Sequence, residues 1–275
     1  MRRNQVQIMM AMHVGDMVVA GKADDCHALY KFLNKFFPMN SRGELTHYTG
    51  CAFARDKVRG TMMITQTAYI DKLTDQFNIT KTSRTPACPS MDLLSRSDGE
   101  RPCLEPYREA VGGPMWLAHK SRPDIASAVC TVACFAQDPS VQQWKAVTKI
   151  LEWRNGTRNL GLTFSRHGGE VFTAFADLTY ANDRQSRKSV SGGAVLYGET
   201  VVAWMSGTQR CVAISSSETE YFSLAETAKD IINLRQVLEF LRPSVKYPPV
   251  VVFEDNVGAM QLAQNSLSSK TTMFI

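Results

Sequence analysis

The sequence predicts an α/β protein with a mixed β-sheet in its C-terminal part. Three observations carry this. Residues 171–177 read as a strand, and 194–197 with 201–205 read as a hairpin turning through Gly198-Glu199. A long helical stretch then covers 218–241. Pro248-Pro249 opens a short apolar strand, 250–253, and a last helix is expected over 257–264. Strands, helix, strand and helix in this order fit one sheet with helices packed against it.

From the N-terminus, residues 5–21 give two short apolar strands around His13-Val14-Gly15-Asp16, the second closed by Gly21. An amphipathic helix is expected over 24–37, because Ala28, Leu29, Phe32, Leu33 and Phe36 share one face at helical spacing. Strand-like segments at 48–55 and 60–65 are joined at Asp56-Lys57. Residues 67–77 return to helical spacing, with Tyr69, Ile70, Leu73 and Phe77 on one side. Residues 83–104 carry Pro86, Pro89 and Pro102 among serines and charges, and read as linker. Between 105 and 158, helices are expected to start at Pro106, Pro123 and Pro139, since the first helical turn has no use for an N–H. Asp138 is the expected N-cap of the last of them. One more strand, 210–214, should precede the long helix.

Of the 275 residues, 44% are hydrophobic and 21% charged, so the chain can bury a core and is not a disordered tail. No apolar run approaches the roughly 20 residues of a membrane span. His13 and Asp16 interrupt the weakly apolar start after Met1-Arg2-Arg3, and no small-residue cleavage site follows, so no secretory leader is expected. The seven cysteines include no C-x-x-C, and Cys130 and Cys134 have no histidine at ligand spacing. They read as reduced thiols, which implies an intracellular setting, cytoplasmic or nuclear. Residues 1–168 hold 22 Lys+Arg against 15 Asp+Glu, whereas 169–275 hold 9 against 11. That split suits a nucleic-acid grip joined to a carboxylate-rich site, although a merely solvated surface explains the same balance.

Three acids stand where the coarse structure changes. Asp177 ends the first C-terminal strand, Glu220 lies in the first turn of the long helix, and Asp255 follows the strand 250–253. Carboxylates converging at element ends are what a pair of Mg²⁺ ions about 4 Å apart requires. Each acid has a duller reading. Asp177 could open a turn, Ser217-x-x-Glu220 is a capping box, and Asp255-Asn256 could cap the next helix. Glu220 also follows the apolar stripe of Leu224, Ala228 and Ile231, where a carboxylate is costly without a cation.

Several strings occur in order between residues 106 and 256, the clearest pieces of a likeness that covers nearly all of the chain. They are Pro106-Tyr107-Arg108-Glu109-Ala110-Val111-Gly112, Arg122-Pro123-Asp124-Ile125-Ala126, Arg187-Lys188-Ser189-Val190-Ser191-Gly192, Ser215-Ser216-Ser217-Glu218-Thr219-Glu220-Tyr221 and Asp255-Asn256. Together they resemble the Pol polyprotein of copia-type retrotransposons, from the end of the reverse transcriptase into RNase H. The resemblance implies a reverse-transcriptase palm end and thumb in 1–95, a helical connection in 96–168, and an RNase H-like mixed sheet with flanking helices in 169–275. It places the family's catalytic and metal-binding acids on Asp177, Glu220 and Asp255. Two Mg²⁺ ions, replaceable by Mn²⁺, and an RNA–DNA hybrid or another nucleic-acid duplex are the implied cofactor and partner. A membrane partner is not implied.

The departures from the family matter as much. Its Tyr-Val-Asp-Asp polymerase motif reads His13-Val14-Gly15-Asp16 here, so one metal-binding Asp has become Gly15. The other palm carboxylate would lie upstream of Met1. Asp-Ala-Asp-Trp has become Asp177-Leu178-Thr179-Tyr180, and Thr272-Met273-Phe274-Ile275 stops short of a fourth acid. The expectation is a partly degraded copy without polymerase activity and with weak RNase H activity. The alternative is a non-catalytic nucleic-acid-binding remnant of the same element.

Overall fold

A computed structural model describes residues 8–87, 93, 95–96, 100–179, 187–213 and 215–264. The start of the first expected strand, part of the 83–104 linker, Tyr180, Ile214 and the C-terminal residues 265–275 lie outside the described residues.

Strands β1 (Ile8–His13) and β2 (Asp16–Gly21) form an antiparallel hairpin in which His13 faces Asp16. Val14 at its tip has φ +53°, a left-handed conformation that strains a β-branched side chain. Helix α1 (Ala23–Leu33) stops four residues before the expected end. Asn34 turns the chain there, and its side-chain oxygen accepts the Met39 N–H. No residue from 8 to 50 is buried, and Phe32, Phe36 and Phe37 stay exposed. Among the described residues, no buried core covers the aromatic stripe that suggested a longer helix, and Phe32 and Phe36 meet edge-on with ring centroids 5.3 Å apart.

Strands β3 (His47–Tyr48), β4 (Cys51–Asp56) and β5 (Thr61–Thr65) follow, antiparallel in sequence order, and lead into α2 (Thr67–Gln76). Next come α3 (Tyr107–Lys120), a 3₁₀ turn at Pro123–Ile125, α4 (Ala126–Ala133) and α5 (Val141–Gly156). Pro123 stands in the first turn of its 3₁₀ helix as expected, but Pro106 is the N-cap of α3, and Pro139 precedes the α5 cap, which is Ser140 rather than Asp138. Ser140 Oγ accepts the Gln143 N–H, and the Gln143 side chain accepts the Ser140 N–H, a reciprocal capping box. Asp138 instead pairs with Arg96. Ile70 and Leu73 of α2 join Leu117, Val129, Val147 and Leu151 in one apolar core.

Strand β6 (Leu162–Ser165), which the sequence did not reveal, pairs with β5 and completes a sheet in the order β3-β4-β5-β6. A Cβ at Gly161 would sit 2.0 Å from the Ile64 carbonyl oxygen, so only glycine permits this approach. The stretch read as a helical connection thus ends in a strand shared with the segment before it.

The C-terminal part contains β7 (Phe172–Thr179), β8 (Val190–Tyr197), β9 (Thr200–Thr208), α6 (Ser216–Leu241), β10 (Val251–Phe253) and α7 (Val257–Gln264). The sheet order is β10-β7-β8-β9, antiparallel from β7 to β9, with β10 parallel to β7. This is a mixed α/β arrangement. The strand expected at 210–214 is absent from its described part: β8 begins opposite Thr208, so residues beyond Gln209 have no ladder to join. Helix α6 lies across β7 and β8, burying its Ile231 with Phe172, Ala174 and Val195. Edge strand β9 meets the helical layer, where the Trp204 indole N–H donates to the Ala118 carbonyl at 2.7 Å. No described helix is long and apolar enough to cross a membrane.

Candidate metal centre

Asp177 does not end its strand. It pairs with Gly192 inside the β7–β8 ladder, which continues to Thr179, and so opens no turn. Its Oδ1 accepts the Leu178 N–H at 2.7 Å. Glu220 lies in the second turn of α6, because the helix starts two residues earlier than its sequence suggested. Ser215, not Ser217, is the N-cap, and its side chain accepts the Glu218 N–H at 3.2 Å. Glu220 therefore closes no capping box with Ser217. Asp255 follows β10, while the start of α7 is held by its neighbour: Asn256 Oδ1 accepts the Ala259 N–H at 2.9 Å.

Freed from those local roles, the three acids meet. One carboxylate oxygen from each of Asp177, Glu220 and Asp255 lies within 4.8 Å of the others. The topology produces this, since parallel neighbours β7 and β10 place Asp177 and Asp255 toward the same sheet end. Two side chains fix α6 against that end. The Ser223 hydroxyl lies 2.9 Å from the carbonyl oxygens of both Asp177 and Gly192. Gln209 Nε2 donates to the Thr219 carbonyl at 3.1 Å and to Ser191 Oγ at 2.7 Å, and its backbone N–H donates to Ser189. Neither residue carried a sequence signal, because each acts through backbone groups distant in the chain.

Glu220 is 7% exposed, and its pKa is pushed up to about 7, by burial first and then by the charges of Glu254, Asp177 and Asp255. Burial raises Glu254 as well. The Oε2 atoms of Glu220 and Glu254 are both buried without a hydrogen-bond partner. Among the described residues, no Lys or Arg forms an ion pair with any of these four acids. Buried anionic oxygens without donors are costly, and a hard divalent cation is the natural compensation for an all-oxygen donor set. The residues present therefore fit Mg²⁺.

Arg187 and Lys188 precede β8, and Arg210 follows β9. Because Val190 pairs with both Thr179 and Thr208, these cations stand at the same end of the sheet as Asp177. A groove of about 270 Å³ lined by Asp177, Ser191, Gly192, Pro123, Ser127 and Trp204, among others, opens beside the cluster. A larger cavity of about 440 Å³ between α3, α4 and β9 touches none of the acids.

His13, Val14, Gly15 and Asp16 occupy the exposed β1–β2 turn. Among the described residues, no other carboxylates join Asp16 in a metal-sized cluster.

The chain is similar to the retrovirus-related Pol polyprotein from transposon TNT 1-94 of Nicotiana tabacum, 30% identical over 279 residues, covering 98% of this chain and 21% of that polyprotein. The corresponding polyprotein from transposon RE1 of Arabidopsis thaliana is 29% identical over 268 residues, covering 96% of this chain and 18% of its own length. Secreted RxLR effector protein 161 of Plasmopara viticola is 38% identical over 127 residues, covering 46% of this chain and 89% of that protein. The chain thus spans about a fifth of the length of the polyproteins it matches. No family model and no solved structure matches.

Proposed function

The chain belongs to the retrovirus-related Pol polyproteins of copia-type transposons, and on that premise we propose that residues 169–275 are an RNase H-type nuclease domain acting on RNA–DNA hybrids. The observation that carries the reading is the meeting of Asp177, Glu220 and Asp255 within 4.8 Å from three separate elements. The sheet order β10-β7-β8-β9, with α6 across β7 and β8, supports an RNase H-like arrangement.

In this mechanism Asp177, Glu220 and Asp255 would hold two Mg²⁺ ions, which would supply an activated water and charge stabilisation at the phosphodiester oxygens. The protein's own work is positional. Ser223 and Gln209 lock the first turns of α6 onto the sheet, so Glu220 keeps its place relative to Asp177. Arg187 and Arg210, toward the same sheet end as Asp177, would attract the phosphate backbone. Residues 1–95 are the palm end and thumb of a reverse transcriptase and 96–168 its connection, and their basic balance grips the duplex. Polymerase activity is not part of the proposal, since Gly15 stands where a metal-binding Asp is needed.

The test is cleavage of a labelled RNA–DNA hybrid in Mg²⁺ by the wild-type chain and by Asp177→Asn. Cleavage that disappears in the variant supports the nuclease. Salt-sensitive hybrid binding without cleavage by either protein favours the binding remnant, the reading that the charge split between 1–168 and 169–275 supports.

A further inference from the structure

Resting on the metal-centre reading above, we propose that Glu254 is a fourth carboxylate ligand of that centre, contributing Oε2 to the second cation. Glu254 sits between the end of β10 and Asp255, and its two oxygens have different surroundings. Oε1 accepts the Asn256 N–H at 3.1 Å, which fixes the carboxylate plane. Oε2 is buried and has no partner. Among the described residues, Glu220 Oε2 is the only other carboxylate oxygen in that condition.

The two orphaned oxygens belong to one neighbourhood. The pair Phe253–Phe175 ends the parallel β10–β7 ladder, so Glu254 follows it at the sheet end where Asp177 stands, and its charge weighs on Glu220 ahead of those of Asp177 and Asp255. A role confined to capping the turn before α7 needs only Oε1 and gives no reason for Oε2 to be withdrawn from water. Four carboxylates at one sheet end, with no ion-pairing Lys or Arg among the described residues, form a site that positive charge must complete. Asp177, Glu220 and Asp255 bring one oxygen each to a common point, enough for one cation that keeps several waters. A second cation needs further anionic oxygen, and Glu254 Oε2 is the buried one left over. Local sequence hides this, because Glu-Asp-Asn before a helix reads as a cap.

Mn²⁺ binding to the full chain tests the proposal, with stoichiometry read by electron paramagnetic resonance and with the rise in Tm that Mn²⁺ produces. Wild type should bind two ions. Glu254→Gln and Glu254→Ala should bind one at near wild-type affinity and the second at least tenfold more weakly, with a smaller rise in Tm. Asp177→Asn should lose both ions, and Glu199→Gln, at an exposed position in the β8–β9 turn, neither. Two ions bound with unchanged affinity in both Glu254 variants would overturn the role of Glu254 and leave the three-acid centre standing. No Mn²⁺ bound by wild type, or equal binding by Asp177→Asn, would overturn the centre and this proposal together. The Tm measured in EDTA separates loss of a ligand from loss of fold: Glu254→Gln, which keeps an oxygen for the Asn256 N–H, should be at least as stable as wild type without metal.

Discussion

Arg154 is buried without a hydrogen-bond partner for its guanidinium, and replacing it should make the protein more stable. It is fully buried in α5, and all three of its guanidinium nitrogens lack a hydrogen-bond partner. Burial, then the nearby charge of Arg122, lowers its pKa from 12.5 to about 10, with Tyr69 and Asp71 only partly offsetting this. A base whose folded pKa lies below its unfolded value destabilises the fold wherever both states are protonated. The full penalty is therefore present at neutral pH and shrinks only as pH rises above about 10. The difference corresponds to about 3 kcal/mol. Arg154→Met keeps the length of the chain and removes the charge, so it should gain roughly 2–4 kcal/mol. For a chain of this size that is about 5–10 °C in Tm. Urea and thermal unfolding at pH 7 measure it directly. A destabilisation of about 1 kcal/mol or more would show that Arg154 has a buried partner and refute the reasoning.

Glu220 gives a pH prediction of the same kind. Its folded pKa of about 7 lies above the ordinary 4.5, so the metal-free fold should lose stability as pH rises from about 5 to 7. Glu220→Gln should flatten that dependence in EDTA; an unchanged slope would mean that another group titrates. Ser223→Ala, which removes the hydroxyl shared by the Asp177 and Gly192 carbonyls, should cost about 1–2 kcal/mol and weaken Mn²⁺ binding, as unfolding and metal titration would show. Gly161→Ala should cost roughly 1–3 kcal/mol or more, because its methyl group would collide with the Ile64 carbonyl and part β5 from β6; wild-type unfolding would exclude that clash. Hybrid affinity should fall steeply with salt and come mainly from 1–168, and an isolated 169–275 fragment that bound as tightly would contradict the charge split.

Much of this architecture is legible in the sequence where one local signal decides it. The hairpin at 13–16, the helix starts at the prolines and the long helix after the serines follow from turn chemistry, missing N–H groups and capping. Legibility fails where two local readings compete or where the deciding partner is far away. Ser215 and Ser217 are equivalent caps by sequence, but the helix begins at Ser216, so Ser215 caps it. Phe36 and Phe37 extend a helical stripe, yet no element covers them, so the helix stops at Leu33. Leu162-Thr163-Phe164-Ser165 is too short to announce a strand without β5 beside it. The same logic governs the site. Asp177, Glu220 and Asp255 fall near changes in the sequence pattern and can be picked out, although Asp177 lies inside its strand and Glu220 in the second turn of its helix, whereas Gln209 and Ser223 act through distant contacts that no spacing encodes.

If the three acids form a working metal centre for hybrid hydrolysis, its most direct test is the cleavage rate of an RNA–DNA hybrid. Wild type and Asp177→Asn would be compared side by side in Mg²⁺ and in Mn²⁺. Wild type should cleave the RNA strand only with metal, and the variant should lose at least two orders of magnitude in rate, about 3 kcal/mol of transition-state stabilisation. Equal rates for the two proteins, or cleavage that survives EDTA, would contradict the metal centre.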